Sequence, residues 1–462
     1  MKNRYDVIVI GGGNAGLCAA LSASKYSKEV LLIESGSKHD RGGNSKYTRD
    51  IRYMHERDKY TKGEYLSSEF VNDVLRVTHN NTNKGLLDLV VTESAHIPEW
   101  YEEHGVLIHE ALKGTLHLGR TNLFMMGGGK AMLDSYYNSV DRAGIEVLYN
   151  TQCVDLDVTG NIFSGVKLRN SDGISLIKAD AVVIASGGFE SNLEWLAKSW
   201  GKATKNFIVR GTKYNTGEML KILMDHNAGT VGNLRQFHSV AVDARSPKYE
   251  GGIVTRIDSI PFGITVNNNS ERFYDEGEDL WPKRYAIWGK LIAEQPDQIA
   301  FSIIDSKSKD LFLPTMLEPY KAENIQELAI KIELDPKRLQ NTVDEYNRST
   351  SKKCTFNNQI LDDCSTTGLA IPKSHWARAI DRPPYYGYRF RPGITFTYFG
   401  VEVNHKAQVL DKDGKPFRNI FAAGEIMSGN ILSEGYLAGF GLTIGTVFGI
   451  IAGREAVKSI GK

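Results

Sequence analysis

The residues with the clearest chemical spacing lie at the start of the chain. Gly11-Gly12-Gly13-Asn14-Ala15-Gly16 has the G-x-G-x-x-G spacing and stands between an apolar run, Asp6 to Ile10, and a small-residue stretch beginning near Ala15. Such a loop can cradle a pyrophosphate. Gly11 permits the tight turn, Gly13 lets a backbone amide approach the anion, and Gly16 allows close helix–strand packing, with the helix N-terminus facing the negative charge. Glu34 ends the next apolar run, where a carboxylate can accept hydrogen bonds from ribose hydroxyls. Glycine-rich turns are also common punctuation, so the flanking strand, the helix and the acidic terminus carry the inference together. The same pattern serves NAD. The cluster Arg41-Gly42-Gly43-Asn44-Ser45 soon after Glu34, with the late element Ala422-Ala423-Gly424-Glu425, favours FAD.

The elements needed to position these groups can be read from the same stretches. Strand, glycine turn, small-residue helix and strand follow one another from Asp6 to Glu34, the order of a βαβ unit and of a parallel sheet. Ala181 to Ser186, running into Gly187-Gly188, and Asn419 to Gly424 repeat the strand-to-glycine pattern much later, so distant segments are expected to share one sheet. From about Asn233 to Asn358 the pattern changes to short strands, helices and loops, with an amphipathic region from Ile325 to Tyr346. The expected architecture is α/β: a Rossmann-like FAD-binding domain built from both chain ends, residues 1–232 and 359–462, with an inserted α+β capping domain at residues 233–358.

Composition bounds the partners. Lysine plus arginine number 56 against 55 acidic residues, which leaves no global field for nucleic acid or an anionic membrane surface, so anion recognition must be local. Cys18, Cys153, Cys354 and Cys364 are too few and too scattered for a disulfide framework, an iron–sulfur ligand set or a haem attachment site, and they fit a reducing compartment. No metal site is expected. Met1 to Ile10 lacks the pattern of a secretion signal, and the apolar stretch Leu442 to Gly453 is short of the roughly 20 residues that span a bilayer. The expected location is cytoplasmic.

These elements resemble the flavoprotein subunits of the succinate dehydrogenase and fumarate reductase family over nearly the whole chain. Within it, Arg41 to Ser45, Gly119 to Asn122, Phe237 to Arg245, Trp281 to Trp288 and Gly424 to Asn430 are similar to the FAD-dependent tricarballylate dehydrogenases. The resemblance implies an inserted domain that closes over the isoalloxazine. It also implies Asn44 and Ser45 near the flavin ring, Cys153 offering backbone at the adenine, and Glu425 on the ribityl chain. Leu442 and Thr443 would open a helix toward the pyrimidine end, and Arg41, Gly43, Gly187 and Gly424 complete the implied cofactor set. Some relatives attach FAD through a histidine in the segment matching Gly43 to Lys46; this chain has none there, so dissociable, non-covalent FAD is expected.

The implied chemistry moves hydride from one carbon to the flavin and a proton from its neighbour, giving a double bond beside a carboxylate. For tricarballylate the product would be cis-aconitate. Arg284 occupies the family's proton-transfer position, and a surface or ion-pairing role in the Lys283-Arg284 pair is its alternative. His238 matches the substrate-binding histidine, with a core histidine as the alternative. Arg210, Arg245, Arg256, Arg391 and Lys130 are further cations near glycine or proline turns. Two positions depart from the fumarate reductase pattern: Thr395 replaces a histidine, and Tyr436 replaces a carboxylate-clamping arginine. A tyrosine donates one hydrogen bond where arginine makes a forked, charged pair, which weighs against fumarate. Tyr436 is also similar to a tyrosine of the 3-ketosteroid dehydrogenases, the second substrate class. A third reading is an electron-transfer subunit. Lacking iron–sulfur and haem ligands, the chain needs an acceptor, and the resemblance implies a separate iron–sulfur or haem partner at the membrane.

Overall fold

Strand Val30–Ile33 and the Val7 to Ile10 part of strand Arg4–Ile10 are apolar runs buried on both faces, as the interior strands of a parallel sheet must be. In the computed structural model, which describes residues 2–249, 251–252 and 255–462, they form the middle of an eight-stranded sheet. Across that sheet the order is Glu146–Leu148, Val30–Ile33, Arg4–Ile10, Gly173–Ile184 and Pro416–Ala422, each parallel to its neighbour, with Gln408–Leu410 antiparallel at the edge. The early and late parts of the chain therefore meet in one sheet, as the repeated strand-to-glycine pattern implied.

Two helices press together against this sheet, Asn14–Ser24 and Phe440–Ser459. Their backbones touch: a Cβ on Gly449 would stand 2.5 Å from the Ala15 carbonyl oxygen, and one on Gly453 would stand 2.1 Å from that of Ala19. Asn14 Nδ2 ties the helices by donating to the Leu442 carbonyl at 3.1 Å and to Thr446 Oγ1 at 3.0 Å. The later helix runs past Leu442 to Gly453 at both ends and is long and apolar enough to cross a membrane by length and composition, but most of it is buried in the protein core.

A six-stranded sheet forms the second layer. Its spine is the long strand Tyr385–Thr397, which pairs with Phe237–Asp243, Ala300–Asp305, Tyr320–Ala322 and, in parallel, Ile208–Val209. Helices Ile325–Lys331 and Pro336–Ser349 add a small separate core containing Ile264, Phe301, Leu328 and Val343. The amphipathic region is thus two helices. Glu333 takes a positive φ of 65°, and Asp335 starts the second by accepting from the Arg338 amide at 2.8 Å. The paired segments run from Ile208 to Thr397, beyond the residue 233–358 segment on both sides. The spine strand was hard to read because it carries Gly387, Pro392 and Gly393, residues that ordinarily argue against a strand interior.

Cys354 and Cys364 form a disulfide, whereas Cys18 and Cys153 are buried thiols. The sequence reading left all four cysteines unpaired; the loop between 354 and 364 folds back and brings two residues far from any motif together.

Candidate functional site

A cavity of about 280 Å³ runs from the first glycine loop to the second sheet. At the loop end, Gly11 has a φ of +109°, and a Cβ there would lie 2.3 Å from the Ala185 carbonyl oxygen. Gly16 packs rather than lines: its Cβ would lie 1.8 Å from the Gly11 carbonyl oxygen. Gly13 caps helix Asn14–Ser24 without any side-chain bond, and a Cβ on it would meet nothing nearer than 3.5 Å, so the helix N-terminus opens into the cavity. Asn14 donates its amide to Ser45 Oγ at 3.1 Å. The buried Glu34 carboxylate accepts from Gly12 N at 3.0 Å and Gly36 N at 2.6 Å; burial pushes its carboxyl up, with those amides opposing. Ala15, Cys153, Gly187 and Gly424 also line this half.

A second helix N-terminus enters from the other side. Gly439 caps Phe440–Ser459 without a side-chain bond, and Leu442 lines the cavity beside it. Gly43, Asn44, Ser45 and Glu425 line the stretch between. Two open helix N-termini, a glycine turn with no Cβ in the way and a buried acid suit an anionic dinucleotide. Like Gly16, two further expected cofactor residues lie behind the wall. Arg41 stacks its guanidinium 3.7 Å above the Tyr137 ring and donates to Tyr149 Oη at 2.8 Å, and Thr443 spends its hydroxyl on the carbonyls of Arg52 and Gly439.

The far end is built by the second sheet. The pairing of Phe237–Asp243 with Tyr385–Thr397 shifts register between His238 and Ser239, a bulge of the kind that re-aims a side chain, and His238 lines the cavity. Its ring stacks on Tyr436 with centroids 4.1 Å apart and 6° between planes, and it meets the Tyr285 ring edge-on at 5.3 Å. Both ring nitrogens are buried without partners among the described residues; burial, then Arg210 and Arg256, holds the imidazole well below its ordinary range, so it is neutral. Tyr436 Oη accepts from Gly441 N at 2.9 Å and keeps its own proton to donate.

Two arginines complete this end, in unlike states. Arg256 pairs with Asp258 at 2.7 Å and lies 4.6 Å over the Tyr285 ring. Arg210, extending from Ile208–Val209, is 5% exposed, and among the described residues its side chain donates from Nη1 to Thr395 Oγ1 at 3.3 Å. Its Nε is buried without a partner among the described residues, and burial, reinforced by Arg256, lowers its pKa to about 10. Arg49 and Asp50 also line the cavity and pair with each other at 3.1 Å.

Arg284 does not line this cavity; it pairs with Glu278 at 2.8 Å. The next residue, Tyr285, faces in, because neighbouring residues on a helical turn point about 100° apart. Burial raises the Tyr285 phenol to about 12 against the pull of Arg256, so it is a neutral donor. Arg245 is held by Asp243 at 2.7 Å, Arg391 by the Gln298 carbonyl at 2.9 Å, and exposed Lys130 by Asp134 at 3.1 Å; none lines the cavity. Of the five further cations, Arg210 and Arg256 reach it. Tyr285 and the Arg49–Asp50 pair escaped the sequence reading, although Tyr285 lies inside the Trp281 to Trp288 motif.

The fold and cavity define a dinucleotide-binding protein with a second, cation-bearing chamber. A family profile described as FAD binding domain matches residues 6–436, and the chain belongs to that family. FAD is its cofactor. The chain is 27% identical, over 98% of its length, to the NADH:fumarate oxidoreductase of Klebsiella pneumoniae (strain 342), and spans about half (48%) of that relative. The open conformation of a flavocytochrome c3 fumarate reductase superposes with a TM-score of 0.76 at 22% identity, covering 100% of this chain and 79% of that one. The 3-ketosteroid Δ1-dehydrogenase of Sterolibacterium denitrificans gives 0.79 at 16% identity, covering 99% and 100%.

Proposed function

We propose that the chain is an FAD-dependent oxidoreductase of carbon–carbon bonds that lie beside a carboxylate. The observation that carries this reading is Arg210, a buried guanidinium without a carboxylate partner among the described residues, in the chamber that continues the cofactor cavity. A buried charge without a counter-charge is costly, and a substrate carboxylate would supply one. Arg256 and Arg49 already have Asp258 and Asp50, so the remaining polar ends of a substrate would fall to neutral donors: Tyr285, Tyr436 and Thr395.

FAD held here would accept or return a hydride. The chain's own part is to bind the carboxylate at Arg210, orient the carbon skeleton on the stacked His238 and Tyr436 rings, and move a proton at Tyr285 Oη. Arg256 stabilises the negative charge that oxygen would carry after giving up its proton. Arg284, committed to Glu278, takes a supporting role in this scheme.

Tricarballylate, oxidised to cis-aconitate, is the substrate we propose, on the strength of the long motif matches with tricarballylate dehydrogenases. The parallel sheet is read as a Rossmann-like FAD domain and the Ile208 to Thr397 sheet with its helices as the capping domain. We place the protein in the cytoplasm, with a separate iron–sulfur or haem protein at the membrane taking its electrons. A 3-ketosteroid is the second reading, favoured by Tyr436 and the steroid dehydrogenase likeness, but it would leave Arg210 unpaired. Anaerobic mixing separates them: tricarballylate should bleach the flavin, succinate poorly and a 3-ketosteroid not at all. Bleaching by the steroid alone would reverse the assignment.

A further inference from the structure

At the cavity wall lies an acidic pair that the proposed reaction does not use. Glu190 is fully buried and Glu425, 8% exposed, lines the cavity; the two carboxyl groups adjoin. Around them the chain has cleared space. A Cβ on Gly188 would stand 2.2 Å from Glu425 Oε1, one on Gly187 would stand 2.6 Å from Asn215 Nδ2, and one on Gly211 would stand 2.2 Å from Asn44 Oδ1.

The hydrogen bonds place the proton. Glu190 Oε1 accepts from Asn215 Nδ2 at 2.6 Å and from Asn44 Nδ2 at 2.5 Å, and Glu425 Oε1 accepts from Thr397 N at 2.7 Å and Thr397 Oγ1 at 3.0 Å. Each Oε1 therefore faces donors only. Glu190 Oε2 is buried and has no donor unless its partner carboxyl carries a proton. Two adjoining buried carboxylates cannot both ionise at low cost, so the pair holds one proton between its outer oxygens and a single negative charge. Around it, Tyr398 and Tyr436 are the titratable groups that feel the charge of Glu425. Asn44 joins the pair to the cavity, donating to the Thr395 carbonyl at 2.8 Å as well as to Glu190.

We propose that Glu190 and Glu425 form a proton store, taking up a second proton when the bound flavin gains electrons. The proposal rests on FAD occupying the cavity that Glu425 lines. Substrate gives a hydride to the flavin and a proton to the acid–base group; the proton bound by the pair comes from solvent, and no electrons move in that step. Added negative charge in the cavity raises the proton affinity of the nearby singly charged pair, and uptake returns the pair to neutrality.

The test is proton uptake on reducing the FAD-loaded protein, read from the slope of its midpoint potential against pH. Where the oxidised wild type holds one proton on the pair, it should take up close to one more proton per flavin than Glu190→Gln, whose amide donates to Glu425 and lowers its proton affinity; at higher pH, where reduction no longer loads the second proton, the two should coincide. Should the variant not fold, infrared difference spectra of the wild type alone decide, because reduction must add a protonated-carboxyl band. Equal slopes, or no such band, would overturn the store with FAD still bound. A protein that takes up no FAD would overturn the flavin reading and the store with it.

Discussion

Replacing Arg210 with methionine should push stability and catalysis in opposite directions. In the substrate-free protein this guanidinium is buried beside Arg256, and its pKa is lowered to about 10. At about 1.4 kcal/mol for each tenfold loss of proton affinity, that is a cost on the order of 3 kcal/mol. Because the folded-state value lies below the ordinary one, the full cost applies at neutral pH, where folded and unfolded forms are both protonated, and it lifts only as pH rises past about 10. Methionine removes the charge and keeps much of the side-chain volume, so Tm should rise by about 1–3 °C for a chain of this length. Catalysis should move the other way. A carboxylate gripped by the fork makes two charge-assisted hydrogen bonds of roughly 1.5–3 kcal/mol each, so kcat/KM should fall about 10²- to 10⁴-fold with FAD content unchanged. Differential scanning calorimetry of the substrate-free protein and anaerobic flavin bleaching give the two numbers. A lower Tm with kcat/KM within about threefold of wild type would show that Arg210 serves the fold and no anion.

Tyr285→Phe should cut kcat about 10²- to 10⁴-fold while FAD and substrate still bind, whereas Arg284→Gln should change kcat less than about tenfold; the reverse order in stopped-flow traces would restore Arg284 as the proton carrier. Glu34→Ala removes the acceptor that Gly12 N and Gly36 N share, and should weaken FAD binding about 10- to 100-fold in a flavin fluorescence titration. Unchanged affinity would place the adenosine elsewhere. Acid precipitation should leave FAD in the supernatant, since no histidine stands between Gly43 and Lys46; yellow pellets would indicate a covalent link.

The loop end of the site was legible because its chemistry is local. Gly11, Gly13, Gly16 and Glu34 sit within one strand–turn–helix–strand unit, so sequence order is spatial order. The far chamber is different. Whether an arginine is free depends on where its carboxylates lie: Arg284 meets Glu278 and Arg256 meets Asp258 through turns whose geometry no spacing rule fixes, and among the described residues Arg210 meets Thr395 of the neighbouring spine strand and no carboxylate. His238 was readable as a motif residue, but its aim depends on a bulge opposite a strand more than a hundred residues later. The spine strand and the Cys354–Cys364 link were hidden for the same reason, since glycine, proline and a long loop signal irregularity locally while distant partners impose order.

The clasp between the two core helices also sets a timetable for synthesis. Asn14 and Thr446 are 432 residues apart, so at roughly 5–20 residues per second the first helix waits about 20–90 s on the ribosome for the residue it bonds. During that interval the faces of Ala15 and Ala19 that will receive Gly449 and Gly453 lie bare beside a finished glycine loop. A ribosome that stalls before Phe440 leaves a chain with half a cofactor cavity and an open apolar seam, a substrate for chaperones rather than for FAD.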